Sequence, residues 1–403
     1  MSNMNSKQQS ARRGALVKAT ALALAIATFA SVQHDASATD LSRRQAKRMY
    51  DRLTGTPPSP AMLDQLEPLV ASDPADAALF IMNNSSTFYS VTLKNFATPW
   101  TNRDQTVFAP LNDYTATVIG MVRDDLDFRG VLSEDIAYIG QNTTPAYSNT
   151  SNAHYEAMES NNADLRTVLQ RTTQSSLNGL PPDATAGIIT SRAASEAFFI
   201  DGTNRAMFRF TLLNHLCHDM EQVHDTSRPP DRIRQDVTRS PGGDSALFLN
   251  NCIGCHSGMD PMAQAFAYYD FDETQGRLVY TRGQVQPKYL INSDNFKQGY
   301  VTTDDHWENR WRLPGKNTLL GWSGQDGQIR SGNGAKTLGE ELANSDAFAQ
   351  CQVEKVFRTV CLRPPSDVAD LDAVRLVMVP AFKGSGYRLK TAFAEAAAYC
   401  AGN

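Results

Sequence analysis

Past residue 38 the chain has no stretch of about 18 uninterrupted apolar residues, so no later segment is available to cross a membrane as a helix. It also has no surplus of positive charge, since 38 Lys and Arg face 43 Asp and Glu for a formal net charge of -5. That balance excludes a nucleic-acid binder of the basic kind, whose surface must neutralise phosphates, and suits a basic protein partner better. Cysteine is sparse, with 6 in 403 residues. One pair stands at C-x-x-C spacing, and the second such pair that a structural zinc site would need is missing. No internal repeat of fixed period is present. What the chain does have is length and enough apolar residues, 41% of the total, to bury a full core across two or three domains.

The first 38 residues read as an export signal. Arg12, Arg13 and Lys18 form a basic start, Ala19 to Val32 is apolar, and Ala36-Ser37-Ala38 is a small-residue cleavage site. The apolar run is too short for a membrane span and meets Gln33, His34 and Asp35 at once. An uncleaved anchor is the competing reading. Cleavage near Ala38 places the mature chain in the periplasm or outside the cell.

The remainder reads as a mainly α-helical, multi-domain protein. A helical N-terminal domain, 39–185, carries patterns at Leu41 to Leu53 and Pro60 to Ala71, split by the turn Gly55-Thr56-Pro57-Pro58. Its end, from about 140, is rich in Asn, Ser and Thr and reads as a surface loop. A middle domain, 186–280, opens with helical spacing from Thr203 to about Val223, with apolar residues at Ala206, Phe210, Leu213, Leu216, Cys217 and Met220. A basic loop follows, and Asp244 is placed to cap a helix leading into the cysteine pair. Residues 281–333 read as an irregular segment. The C-terminal domain, 334–403, is again helical, with Ser345 as a cap and Pro364-Pro365 as a break.

Cys252-Ile253-Gly254-Cys255-His256 is the C-x-x-C-H signature of c-type haem attachment. Two thiols three positions apart lie on one side of a helical turn, where each can add to a vinyl group of one porphyrin. The next residue then offers its imidazole to the iron, making His256 the proximal ligand. A thioredoxin-like dithiol is the bland alternative, but its strand-helix-strand setting is not seen.

The surroundings of the motif resemble the planctomycete-type secreted cytochrome c family, whose members consist largely of domains of unknown function. The likeness runs from Phe248 through Asp260-Pro261 and Tyr268-Tyr269-Asp270-Phe271 to Gly276-Arg277, with Arg205 to Cys217 and Thr238-Arg239 upstream. Ala347 to Cys351 and Arg363-Pro364-Pro365 are similar to its last helical domain, and Tyr50 to Leu53 with Thr56 to Ser59 to its opening helices. The resemblance implies a haem and redox role more than a reaction. Many members carry a His where Ala246 and Leu247 stand and a Leu at Met262, so no ligand role passes to those positions. Four cysteines beyond the motif allow three pairings. Their likeness to family positions favours Cys217 with Cys351, leaving Cys361 with Cys400, both in the last zone.

Function then turns on the iron's other face, where a Met or a second His makes a carrier and an open position permits peroxide or oxygen chemistry. On the helical phase from Leu213, Met220 falls on the apolar face and is the first distal candidate, although core filling is its bland alternative. Met378 is the second. His215 points away, His218 flanks the face, and His224 reaches it only if the helix extends that far. Arg239, beside Arg232 and Arg234, is placed to pair with a haem propionate, or else belongs to a solvated loop. Asp260 before Pro261 reads as an N-cap and first-turn proline, and Asp270, Asp272 and Glu273 as a solvated acidic turn. The expected protein is a monohaem carrier with one covalent haem c and a protein redox partner. The alternatives are a haem enzyme whose substrate pocket is formed by Phe266, Tyr268, Tyr269 and Phe271, and a haem-bearing scaffold subunit of a redox complex.

Overall fold

The computed structural model describes residues 40–290, 297–314, 320–322 and 327–402. The export segment read at 1–38 lies outside the described residues. The chain is mainly helical, with three two-stranded antiparallel ribbons among the described residues.

Caps decide where the first helices begin. After α1 (residues 40–54), Ser59 accepts the Met62 N–H at 3.2 Å and Pro60 takes the first position of α2 (Pro60–Ser72). Asp73 does the same for α3 (Pro74–Asn84), accepting from Ala75 and Asp76. Helix α4 (Asp113–Arg123) follows, and every residue from Asp113 to Val122 is buried, which makes it the central rod of the N-terminal half.

Residues 140–185, expected to be a surface loop, instead form α5 (Ala153–Ser160) and a ribbon of β1 (Ala137–Gly140) with β2 (Leu169–Thr172). Polar composition misled because the few apolar residues do the packing. Tyr155, Met158, Leu165 and Leu169 are all buried, and the Tyr155 hydroxyl donates to the Tyr138 carbonyl at 2.9 Å.

Helix α6 (Arg205–Leu216) ends earlier than its apolar spacing suggests, because Cys217 turns to a left-handed conformation at φ 56 and is bonded to Cys351. Helix α7 (Ile253–Ala263) carries the motif, followed by β3 (Tyr269–Asp272) paired with β4 (Arg277–Tyr280). The segment 281–333 is not wholly irregular. Its described part holds β5 (His306–Asn309) paired with β6 (Arg330–Asn333), and Trp307, Trp311 and Trp322 are buried against α7 and the next helix, α8 (Gly334–Ala343). Ser345 accepts from Phe348 N–H at 3.1 Å to start α9 (Asp346–Cys361), and α10 (Leu389–Ala401) packs on both α9 and α3.

The zones read from sequence share one core. A continuous apolar cluster runs from Ala46 through Phe208 and Phe266 to Ala401, so the expected boundaries near 185, 280 and 333 do not separate independent cores. Fully burying a single Leu or Phe in it contributes about 1.5–3 kcal/mol. Cys217 pairs with Cys351 and Cys361 with Cys400, with Cα atoms 5.2 and 5.5 Å apart, which is the favoured pairing. Among the described residues no helix is long and apolar enough to cross a membrane.

Candidate functional site

The chain reaches the motif through Pro241-Gly242-Gly243, where φ values of 63° and 87° at the two glycines make a sharp turn that other residues resist. Asp244 then accepts the Ala246 N–H at 2.8 Å, the cap expected for it. From Ser245 the chain coils through one π-helical turn, Phe248–Cys252, directly into α7. Such turns insert an extra residue and are frequent at functional sites.

Each residue of an α-helix advances about 100°, so positions 254 and 258 share one side of α7 while 256 and 260 share the other. Gly254 and Gly258 form the packed side. A Cβ at 254 would stand 2.2 Å from His224 Nε2, and one at 258 would stand 2.2 Å from Trp311 Nε1. Without those atoms the helix lies close against both rings. Cys252, Cys255 and His256 are thereby held half-buried, at the edge of the molecule.

Cys252 and Cys255 are both unpaired thiols. Cys255 Sγ lies 3.5 Å from the Met220 carbonyl oxygen, and burial pushes its thiol pKa up. His256 Nδ1 lies 3.1 Å from Asp260 Oδ1, one helical turn on. Asp260 is fully buried and sits inside α7 rather than at its start, with Pro261 also internal, so the expected N-cap role is corrected. Its carboxylate is occupied by partners from elsewhere in the chain. Arg205 donates to both oxygens, at 2.7 and 2.9 Å, and the Arg234 backbone N–H donates to Oδ2 at 3.2 Å. The same Arg205 guanidinium also grips Asp236 at 2.5 and 2.8 Å.

Burial works to raise the pKa of Asp260, but the Arg205 and Arg234 charges overcome it and hold the carboxyl well below the usual range. For Arg205, burial works against the cation, and Asp260 and Asp236 hold its pKa above the ordinary value. A carboxylate accepts only, so the ring nitrogen facing it carries the proton. That tie leaves Nε2 as the nitrogen a metal would take, the arrangement found for metal-bound histidines.

This donor set fits a covalently attached haem on three counts. The two thiols stand at the required spacing on a half-exposed turn, the imidazole beside them has its Nδ1 tied to Asp260, and the preceding turn leaves Leu247 43% and Leu249 57% exposed, an apolar surface next to the thiols.

The other expected site residues are placed as follows. Met220 is buried but lies past the end of α6, so the helical phase used to orient it does not exist, and its backbone borders the second motif cysteine. Met378 is buried in the π-helical turn Ala373–Met378, which packs on α9 and α10. His215 is buried, not turned away, and Tyr114 Oη lies 2.7 Å from its Nε2, because α6 is covered on that flank by Trp100 and Tyr114. His224 meets α7 at Gly254, on the side opposite His256. Arg239 donates to the Val237 and Ile233 carbonyls at 2.8 and 2.9 Å and lies 4.8 Å over the Phe248 ring, pinning the basic loop to the start of the motif turn. Arg232 and Arg234 are likewise turned to structural partners, Glu308 and Thr203. Phe266, Tyr269 and Phe271 are core residues, Tyr268 sits in a small satellite cluster, and the Tyr269 hydroxyl donates to the Ala184 carbonyl at 2.7 Å. These rings fill space that a substrate pocket would need. Asp272 accepts from Thr274 and Gln275 in the turn between β3 and β4, and Asp270 pairs with Lys288 at 2.6 Å.

Arg205 and Asp236 were not singled out for any site role. His256 and Asp260 stand four residues apart, a spacing at which helical side chains meet, and this was the one local signal that could have shown their contact. No protein-family model matches the chain, and neither a curated protein nor a solved structure matches it.

Proposed function

We propose that this chain is a monohaem c-type cytochrome that carries electrons outside the cytoplasm. The observation that carries the reading is the joint placement of two free thiols and an imidazole whose other nitrogen is already tied to a buried carboxylate. Cys252 and Cys255 hold the porphyrin by thioether bonds and His256 Nε2 binds the iron. When bound, the haem supplies a one-electron couple. The protein orients the imidazole, keeps the proton at Nδ1 and leaves one edge of the site at the surface, where a partner protein can approach. Arg239, whose two terminal nitrogens are taken by the Val237 and Ile233 carbonyls, steadies the start of the motif turn instead of reaching for a propionate. Two disulfides support an oxidising compartment.

A second reading, a haem enzyme with an open sixth position, is favoured by one specific observation. The carboxylate on the proximal imidazole strengthens it as a donor, and a strong axial donor favours oxidised iron. Its substrate site is not the aromatic group named from sequence, which is core.

The full chain produced with a haem-maturation system decides both. One haem per chain in the pyridine haemochrome spectrum, with its mass on the Cys252–His256 peptide, is expected. An unmodified peptide overturns the proposal. Low-spin iron indifferent to carbon monoxide supports the carrier, and high-spin iron that binds it supports the enzyme.

A further inference from the structure

We infer that Asp260 is a positioning residue for the iron-binding imidazole, and that the chain Asp236–Arg205–Asp260–His256 sets the redox poise of the site. The inference rests on the haem reading above and goes beyond it, because it assigns the poise to Asp260, Arg205 and Asp236, which stand behind the iron-binding ring.

The geometry carries it. A neutral imidazole has two tautomers of similar energy, and a half-exposed histidine would sample both. Here Oδ1 of a carboxylate with no exposure stands 3.1 Å from Nδ1, which selects the tautomer with its proton on that nitrogen. Asp260 cannot turn away to water. Its oxygens are held by Arg205 at 2.7 and 2.9 Å and by the Arg234 N–H at 3.2 Å, so with His256 every contact is used. Arg205 in turn is fixed by its fork on Asp236 at 2.5 and 2.8 Å. Bidentate guanidinium–carboxylate pairs fix direction as well as charge.

Two consequences follow from this order of contacts. A carboxylate acceptor makes the ring a stronger donor than a backbone carbonyl would, which stabilises oxidised over reduced iron and lowers the potential. The two arginines also fix the two aspartates in place, so the oxygen facing His256 keeps its position when the surroundings move. The site is therefore poised to give its electron to an acceptor of higher potential and to rest in the oxidised state.

The test compares two variants of the haem-loaded full chain. Asp260→Asn keeps the shape but weakens the acceptor facing His256, while Asp236→Asn removes one negative charge from the same network without touching the ring. Covalent haem is expected in both. Asp260→Asn should shift the oxidised-to-reduced equilibrium at least tenfold toward reduction, about 59 mV for one electron, and alter the axial-ligand signature in the ferric spectrum. Asp236→Asn should shift it less than threefold. An unchanged potential in Asp260→Asn, or equal shifts in the two variants, overturns the inference and leaves the haem reading standing. Absence of covalent haem in the wild type overturns both. Should Asp260→Asn fail to fold, proton exchange in the wild-type ferric protein decides. A His256 ring N–H signal that outlasts those of exposed rings in deuterated buffer supports the bond, and its immediate loss overturns it.

Discussion

Helix α9 is surrounded by the protein's own side chains. Phe348, Val353, Val356, Phe357 and Val360 are fully buried, Ser345 closes its start, and its two cysteines are bonded to Cys217 and Cys400. The approach to α7 is made differently. Between Pro241 and Asn251 only Phe248 is buried, while Leu247 and Leu249 face outward and the two nearby cysteines are unpaired. Both regions are helical and both carry a cysteine pair, so the difference lies in what covers them. One region is closed by the protein's own side chains, and the other leaves apolar side chains and two thiols without such a cover.

The comparison breaks first at the core. Phe348→Ala should cost about 3–5 kcal/mol through lost transfer energy and the cavity left beside Phe128, measured by denaturant unfolding, with haem uptake at the motif unchanged. Replacing Cys361 and Cys400 together by Ser should cost about 2–4 kcal/mol by freeing the loop they close, again read from unfolding midpoints. Loss of haem attachment in either variant would show that the two regions are not separable.

Acid offers a smaller probe. The Asp370 carboxyl is held below its ordinary pKa, chiefly by hydrogen bonds from Arg363 and further by the Ser366 N–H and Tyr399 hydroxyl, against burial. A depressed folded pKa contributes stability above the unfolded value of about 3.9, lost as pH falls toward the folded one. Asp370→Asn should therefore flatten the decline in stability below about pH 4, followed by thermal unfolding across that range. The smallest effect is expected at Leu249→Ala, within about 0.5 kcal/mol for the haem-free chain because the side chain is exposed. A loss of several kcal/mol there would mean that the surface is already covered by the protein itself.

Much of the frame was legible where a single residue type dictates local geometry. The helices near 41–53 and 60–71, the caps at Asp244 and Ser345, and the pairing of Cys217 with Cys351 all follow from features within a few positions or from family likeness. The rest depends on partners far along the chain. Asp260 meets Arg205 from 55 positions away and Asp236 reaches that arginine across 31, so reading Asp260-Pro261 as a helix start follows one local pattern, passes over the i, i+4 spacing to His256, and has no access to the tertiary contacts. The helical phase used to orient Met220 does not hold, for a similar reason. Its phase presumed an unbroken helix, which the left-handed turn at Cys217, tied to Cys351, ends four positions earlier. The tryptophans of 281–333 are buried by α7 and α8, elements that local composition does not reveal.

The meeting of α1 and α3 with α10 bears on the order of events in folding. Arg52 of α1 donates to the Cys400 carbonyl across 348 residues, and Lys390 of α10 donates to the Asn83 side chain of α3 at 2.9 Å. A growing chain emerges from its N-terminus. Helix α3 can rest on α2 as soon as both exist, but its contacts with α10 must close a loop of 307 residues, and pairings of that separation are slow to form because the loop must close before they reward it.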